Sequence, residues 1–501
     1  MQTQRDSDIE KRNVWSLKHS FATMAQSQSW WEEPQTPPLE SEKSRDFESK
    51  PMASPEIPEV TPQDSELLTR RIHLLGTGSI GTLVAHSLMI LPNPPPITIL
   101  MHRREIYNDF KAGQRIVRLV NKITEINDEQ TGYDVDIKEN NGGQDFWKHI
   151  PHEAGKDRAP LNEIKGEELL PSGEIYIYTL IVTVKGPSTV QALQSIKHRV
   201  DQRTTILLMQ NGMGQIDELN SKVFTDPATR PTYMLGIISH GAHMQGPFAV
   251  VHAGFGAVAL GIHRDTDKYP HPSTDITIDD PNISGMERES MFPSDKDLYS
   301  NISSRYLLRT LTRSPELACA AYPSLDLFQL QLEKLVSNCV LNPLTALLDV
   351  PNGSMLDNPS LTRVQRLLIA EISLVIRGMP ELEGIPNVRL RFSATRLEAL
   401  FRGISEKTAR NSSSMREDMR NVRYPEIDYI NGYIVRRGEE QGIKCVLNYM
   451  IQHLIKAKHH YDIHSGTRVV PYGAGGVEAQ EEVARNDDEP VVLEDVWRPM
   501  I

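Results

Sequence analysis

Two hydrophobic patterns divide the chain. Between Arg71 and Gly261, short runs rich in β-branched residues alternate with stretches of helical periodicity. The runs read RIHLLG, ITILMHR, IYIYTLIVTVK, TTILLMQNG, TYMLGIISHGA and FAVVHAG. This alternation is typical of a parallel sheet wrapped by helices. From Leu298 long amphipathic segments follow. We therefore predict an α/β fold, with an N-terminal Rossmann-type doubly wound parallel sheet followed by an all-helical C-terminal domain.

Polar segments frame and interrupt these patterns. Residues 1–65 are rich in Pro, Ser and Glu, and residues 466–501 are polar and acidic. Such segments bury too little apolar surface to offset chain entropy, which predicts a disordered leader and a disordered tail. Two aperiodic stretches, 138–171 and 263–297, indicate surface insertions. The sheet domain is then predicted to span residues 66–297 and the helical domain residues 298–465.

Composition narrows the classes of partner. The 501 residues carry a formal charge of -12, which argues against a large nucleic-acid surface because such surfaces need dense Lys and Arg. The three cysteines lie far apart and form no C-x-x-C pair, so neither a disulfide framework nor a metal site is predicted. No run approaches the roughly 18 to 20 apolar residues of a membrane helix. We expect a cytoplasmic protein, with mitochondrial targeting through the acid-free stretch 12–31 as the alternative.

A glycine motif follows the first predicted strand. Gly76, Gly78 and Gly81 form G-x-G-x-x-G in the stretch LLGTGSIGTLV. The first glycine permits the tight turn, the second lets the backbone approach a pyrophosphate, and the third lets the helix pack on the strand. Free N–H groups at the helix start, around Ser79 and Ile80, would contact the anion. The motif predicts a dinucleotide site, with a purely structural glycine turn as the alternative.

The next strand indicates which dinucleotide binds. An NAD site usually offers an acidic residue about 20 residues past the glycines, but this chain has His102, Arg103 and Arg104 there. A guanidinium is a bidentate partner for a 2′-phosphate. We therefore predict NADP(H), unless both arginines are merely solvated loop charges.

A second group of polar residues lies in the helical half. Lys334, Asn338 and Asn342 follow i, i+4, i+8 within LEKLVSNCVLNP and so share one face of a helix. Their neighbours are apolar, and an unsatisfied buried amide costs about 1 to 3 kcal/mol. A cleft holding a polar substrate would supply partners, but loops or water would do so as well.

Six sequence blocks carry a further signal, and they are GTGSIG, TVKGPST, LLMQNGMGQIDEL, LEKLVSNCVLNPLTALLDVPNG, NSSSMREDM and EIDYINGYIVRRGEEQGI. They occur in the order found in ketopantoate reductases (2-dehydropantoate 2-reductases), and the chain resembles this family from about Arg71 to Asp462. The resemblance implies NADPH-dependent reduction of 2-dehydropantoate to (R)-pantoate, a step of pantothenate and coenzyme A synthesis. It also implies a Rossmann domain followed by a helical domain.

The resemblance assigns roles in the helical half. Lys334 matches the general-acid lysine, and Asn338 and Asn342 match substrate-binding amides. Glu426 matches the active-site glutamate, and Ser414 matches a serine that binds the substrate carboxylate. From the residues alone, Pro425 suits a first helical turn, and Glu426 would then lie at the positive end of a helix dipole. Without the resemblance, Glu426 would be only a helix-start residue and Ser414 only a loop hydroxyl.

Two further positions follow predicted strands of the sheet. Lys185 matches a residue that faces cofactor and substrate in the family. Asn211 lies in a stretch that resembles the family's loop against the nicotinamide. The partner expected is a 2-oxo acid. A homodimer is left open, because nothing in the sequence indicates the oligomeric state. The alternatives are a reductase of another 2-oxo acid and a non-catalytic interaction scaffold. Retention of the four positions Lys334, Asn338, Ser414 and Glu426 argues against the scaffold.

Overall fold

The computed structural model describes residues 70–121, 127–141, 144–152, 168–268 and 298–464. The predicted leader and acidic tail lie outside these ranges, as do most of the two predicted insertions. The strands are β1 (Ile72–Leu75), β2 (Ile97–Met101), β3 (Val117–Asn121), β4 (Asn127–Gln130), β5 (Asp134–Asn141), β6 (Gln144–Ile150), β7 (Thr179–Val182), β8 (Thr205–Leu208), β9 (Thr232–Ile238), β10 (Gly241–Gly246), β11 (Ala249–Gly254), β12 (Val258–Ile262) and β13 (Cys319–Ala321).

Helices alternate with the strands and then replace them. They are α1 (Ser79–Met89), α2 (Arg104–Ala112), α3 (Thr189–Gln194), α4 (Gln215–Lys222), α5 (Ile302–Leu311), α6 (Ser324–Leu348), α7 (Pro359–Arg377), α8 (Val388–Arg391), α9 (Ala394–Lys407), α10 (Ser414–Arg420), α11 (Asn431–Glu440) and α12 (Val446–His464). No helix in the described ranges combines the length and the apolar composition that a membrane crossing requires.

The main sheet has nine strands in the order β13-β12-β9-β8-β7-β1-β2-β5-β6. Its centre, from β9 to β5, is parallel, whereas β6 and β12 run antiparallel to their neighbours β5 and β9. The strand order reverses between β1 and β7, so these strands flank a crevice at their carboxyl ends. The predicted doubly wound sheet followed by a helical region is confirmed.

A second, four-stranded sheet was not predicted. Its order is β10-β11-β3-β4. The run FAVVHAG therefore does not join the parallel sheet, because β11 forms an antiparallel hairpin with β10 and pairs with β3. Helix α1 packs against β3, β10 and β11, and Val117 and Val250 enter the core with it.

The first predicted insertion is partly regular structure. Strand β5 pairs in parallel with β2, and β6 returns antiparallel to it. Trp147 of β6 is only 3% exposed, and its Nε1 donates to the carbonyl of Ser195 at 3.0 Å. The expectation of an irregular surface stretch from residue 138 is therefore wrong for β5 and β6, because pairing with β2 orders a segment of weak local periodicity.

The helical region begins later than predicted. Helix α5 contributes Leu307, Leu308 and Leu311 to the core of the main sheet, and β13 pairs with β12 at its edge. The change predicted at residue 298 is therefore too early, because an amphipathic helix can cover a sheet as well as join a bundle. From α6 onward, α7, α9, α10 and α12 pack around α6, with a separate apolar core.

The buried indole gives a test of the β5–β6 pairing. Trp147→Ala should lower the free energy of unfolding by about 3 kcal/mol, because it removes a buried aromatic side chain and leaves a cavity. Lys148→Ala, at the exposed neighbouring position, should change it by less than about 0.5 kcal/mol. Urea denaturation of both variants measures the difference. Equal stabilities would contradict the packing described for β6.

Candidate active site at the carboxyl edge of the sheet

The predicted cofactor residues gather at one edge of the sheet. The glycine motif follows β1, Arg103 and Arg104 follow β2, Lys185 follows β7 and Asn211 follows β8. Since these strands are parallel, their carboxyl ends share one edge, where ligands bind in doubly wound folds. Helix α6 reaches this edge from the helical region and brings Lys334 to the end of β9.

The glycines differ in what a side chain would meet. A Cβ on Gly76, whose φ is 112°, would lie 2.7 Å from the nitrogen of Val184, and one on Gly81 would lie 2.0 Å from the carbonyl oxygen of Gly76. These two glycines are required by close packing. A Cβ on Gly78 would meet nothing within 4 Å, so open space adjoins the start of α1 at Ser79 and Ile80. This space and the helix N-terminus fit a dinucleotide phosphate.

The two arginines after β2 have different surroundings. Arg104 pairs with Glu139 of β5 at 3.2 Å and is 69% exposed. Arg103 precedes α2 in extended conformation and is exposed, with no side-chain partner among the described residues. Burial and the nearby Arg103 charge lower the pKa of His102. Arg103 is therefore the more available guanidinium at this edge.

Lys334 places a cation at the carboxyl edge of the sheet, where α6 meets the end of β9. Its Nζ donates to the carbonyl of Ile238, the last residue of β9, at 2.7 Å. Burial lowers the pKa of Lys334 to about 8, although the Glu426 carboxylate acts in the opposite direction. The ammonium borders a cavity of about 20 Å³, which is enough for about one water molecule. The polar residues lining it include Gln210, Asn211, Gln331, Lys334 and Asn338.

The helical spacing of the three polar residues is retained. Lys334, Asn338 and Asn342 all lie on α6, and the first two line the cavity. Asn342 is 4% exposed, and its amide has no hydrogen-bond partner within the part of the chain that the structure describes. Asn211 and Asn338 line the same cavity, so the loop after β8 and helix α6 both contribute to its wall.

A second cluster joins the sheet to the helical region. Lys185 Nζ contacts Asp418 Oδ2 at 2.7 Å and Glu426 Oε2 at 3.4 Å. The other oxygen of Glu426 accepts from the Gly186 N–H at 3.0 Å. Burial alone would lower the pKa of Lys185, but the two carboxylates reverse this effect and leave it raised. Sequence reasoning missed Asp418, whose only signal was its place in the block NSSSMREDM.

Glu426 is held differently from the prediction. It precedes a three-residue 3-10 helix, Ile427–Tyr429, whereas α11 begins only at Asn431. So short an element has little dipole, and the helix-dipole interpretation is therefore wrong. Lys185 and the Gly186 N–H bind the carboxylate instead. Both partners are distant in sequence.

Ser414 lies apart from the other predicted residues. It is the first residue of α10 and is exposed. Its neighbour Ser413 caps the helix by accepting from the Arg416 N–H and shares a hydrogen bond with Thr345 at 2.7 Å. The structure therefore brings together Lys334, Asn338 and Asn211, and separately Lys185 and Glu426, but it does not bring Ser414 into contact with either group.

A proline inside α6 fixes the helix that follows Glu426. Pro343 has no N–H to offer the carbonyl four residues earlier, that of Cys339. The Asn431 amide donates to this carbonyl at 2.9 Å and to Asn448 Oδ1 at 3.0 Å. The start of α11 is thereby attached to the middle of α6.

Comparison with known families agrees with this arrangement. The family model described as ketopantoate reductase PanE/ApbA matches residues 72–265, and its C-terminal counterpart matches residues 326–459. The chain belongs to the ketopantoate reductase family. The two matches cover the main sheet except β13, together with its carboxyl edge and nearly all of the helical region from α6.

The family's relatives are oxidoreductases of moderate similarity. A probable 2-dehydropantoate 2-reductase of Schizosaccharomyces pombe is 27% identical over 395 residues, 78% of this chain and 97% of the relative. A ketoisovalerate reductase of Gibberella fujikuroi is 25% identical over 401 residues, 73% of this chain and 78% of the relative. A D-mandelate dehydrogenase solved with NADH and anilino(oxo)acetate has a TM-score of 0.51 at 18% identity, covering 78% of this chain and 99% of that one. At this identity, the likeness shows a shared fold and no more.

The open space at Gly78 yields a test that needs no turnover. Gly78→Ala should leave the unfolding temperature nearly unchanged but weaken dinucleotide binding at least about tenfold, because the methyl group enters the space beside the helix start. Gly81→Ala should instead lower the unfolding temperature, since its Cβ would overlap the Gly76 carbonyl. Calorimetry and fluorescence titration with NADPH separate the two effects. Unchanged NADPH affinity in Gly78→Ala would show that the phosphate does not bind beside Gly78.

Proposed function

We propose that the protein reduces 2-dehydropantoate to (R)-pantoate with NADPH. The observation that carries this proposal is the partly buried Lys334 ammonium, which donates to the Ile238 carbonyl at the carboxyl edge of a dinucleotide-type sheet and has a lowered pKa. Membership of the ketopantoate reductase family supports the choice of reaction.

The chemistry requires a proton and a positive charge at the ketone oxygen. NADPH, when bound, would supply hydride to the carbonyl carbon, and negative charge would then develop on the ketone oxygen. The Lys334 ammonium stabilises that charge and then donates its proton. Because its pKa is about 8, Lys334 is charged at neutral pH and is a better acid than an exposed lysine.

Other residues orient the substrate in this proposal. Asn338 and Asn342 offer amides on the same helical face, and Ser414 would bind the substrate carboxylate. Glu426 orients the substrate hydroxyl and stabilises the Lys334 ammonium. Lys185 holds Glu426 and faces both substrate and cofactor. Ser414 is exposed in this structure, so a substrate carboxylate would have to reach it from the solvent side of α10.

A second substrate has a specific observation in its favour. The relative from Gibberella fujikuroi is a ketoisovalerate reductase, at an identity close to that of the Schizosaccharomyces pombe relative. Both substrates are branched 2-oxo acids, and 2-dehydropantoate differs by an additional hydroxymethyl group. Steady-state kinetics of NADPH oxidation across a panel containing both acids would decide between them. If no 2-oxo acid in the panel supports NADPH oxidation, the proposed function is wrong.

Cofactor preference can be tested with the adjacent arginines. Arg103→Ala should weaken NADPH binding about tenfold or more and NADH binding by less than twofold, because only NADPH carries the 2′-phosphate. Arg104→Ala should have a smaller effect, since Glu139 already pairs with that guanidinium. Direct titration of both nucleotides measures the differences. Equal losses for NADPH and NADH would contradict the predicted role.

Lys334 gives the sharpest mechanistic test. Lys334→Ala should lower kcat by at least about 10² while NADPH affinity stays nearly unchanged, because the lost interaction is made in the transition state. Lys111→Ala, at an exposed position of α2, serves as the control and should retain full activity. In the unmodified enzyme, kcat for reduction should fall as the pH rises through about 8, where Lys334 loses its proton. A Lys334→Ala enzyme with normal turnover would refute the mechanism.

A further inference from the structure

Residues 426–429 form a segment that docks on two loops of the sheet domain; we call it the docking segment. Its last residue, Tyr429, accepts a hydrogen bond from the Met213 N–H at 2.7 Å through its carbonyl oxygen. The hydroxyl of Tyr429 donates to Glu218 Oε2 of α4 at 2.8 Å. Both partners belong to the loop and helix that follow β8, on which Asn211 also lies.

Two glycines allow the segment to approach so closely. A Cβ on Gly212 would lie 2.3 Å from the Tyr429 carbonyl oxygen, and a Cβ on Gly186 would lie 2.8 Å from Cδ2 of the Tyr429 ring. The loops after β7 and β8 are thus shaped around this one tyrosine. The ring fills the space that a side chain at Gly186 would occupy, and the backbone of Tyr429 fills the space that a side chain at Gly212 would occupy.

The first residue of the same segment is Glu426. Its carboxylate is bound by Lys185 and by the Gly186 N–H. The negative charge of this carboxylate also raises the pKa of Lys334, against the effect of burial. Tyr429 and Glu426 therefore contact the same loop after β7, at opposite ends of one short segment. Displacement of the ring would move the carboxylate relative to Lys185.

We propose that Tyr429 is a positioning residue, which sets the place of the Glu426 carboxylate by docking on Gly186, Gly212, Met213 and Glu218. This inference rests on the proposed function only where it concerns the reaction. The docking itself is a property of the fold. The Tyr429 hydroxyl remains a donor at neutral pH, since burial and the Glu218 carboxylate raise its pKa.

The docking can be measured without turnover. In Tyr429→Phe, amide hydrogen exchange should become at least about threefold faster in peptides that contain Gly186 and Met213, because these N–H groups bond to the docking segment. Tyr178→Phe is a matched control, since the Tyr178 hydroxyl donates to the Glu168 carboxylate at the same distance of 2.8 Å. It should leave both peptides unchanged.

A second variant acts on the ring directly. Gly186→Ala places a methyl group against Tyr429 and should accelerate exchange of the Met213 amide more than Tyr429→Phe does. If Tyr429→Phe does not fold, Gly186→Ala carries the test. Exchange that stays unchanged at Met213 in both variants would overturn the proposal, whatever the enzyme's activity.

The consequence for the reaction has its own signature. In Tyr429→Phe, kcat/KM for the 2-oxo acid should fall about fivefold, with NADPH affinity changed less than twofold. The basic limb of the pH profile should move to lower pH, because a displaced Glu426 no longer supports the charge on Lys334. Glu426→Gln should move this limb in the same direction, whereas Tyr178→Phe should not. A fall in activity with an unmoved pH profile would show that Tyr429 has only a structural role.

Failure of the proposed function is distinguishable from failure of this inference. If the unmodified protein reduces no 2-oxo acid, the reaction assignment is wrong, and the exchange measurements still decide whether Tyr429 fixes the docking segment.

Discussion

The ion pairs of Lys185 with Asp418 and Glu426 are the constraint on which the site depends. Asp418 and Glu426 are 2% and 4% exposed, and a buried carboxylate without a cation is strongly destabilised. Asp418 has a second partner in Arg423, at 3.1 Å, whereas the ion-pair partner of Glu426 is Lys185, from the loop after β7. Moving the helical region off this loop would therefore leave the Glu426 carboxylate without that cation. With this contact made, α6 lies across the end of β9, where Lys334 finds the Ile238 carbonyl.

Partial burial in this cleft lowers the pKa of Lys334. Desolvation that makes the ammonium a better acid also makes it less stable in the folded protein than in water. The Ile238 carbonyl and the Glu426 carboxylate offset only part of this penalty, because the pKa stays lowered. The role proposed for Lys334 would therefore come at a modest loss of folding free energy, as is common for functional sites.

Local patterns predicted the fold well and the site in part. The glycine motif, the β–α alternation and the polar face of α6 depend on near neighbours, and all three are present. The β5–β6 pairing, the second sheet and the position of β13 depend on distant partners, which periodicity does not encode. The surroundings of Glu426 show the same limit. Its environment is made by Lys185 and Gly186, more than 200 positions away in sequence, and no spacing rule connects them.

The proline in α6 and the asparagine that starts α11 form one structural unit. The Cys339 carbonyl needs a donor because Pro343 cannot supply one, and Asn431 does so. If a relative carried another residue in place of Pro343, the helix would satisfy that carbonyl itself and the asparagine would compete with the backbone. Evolutionary change at these two positions should therefore be correlated, although one lies in the middle of a helix and the other 88 positions later at the start of another.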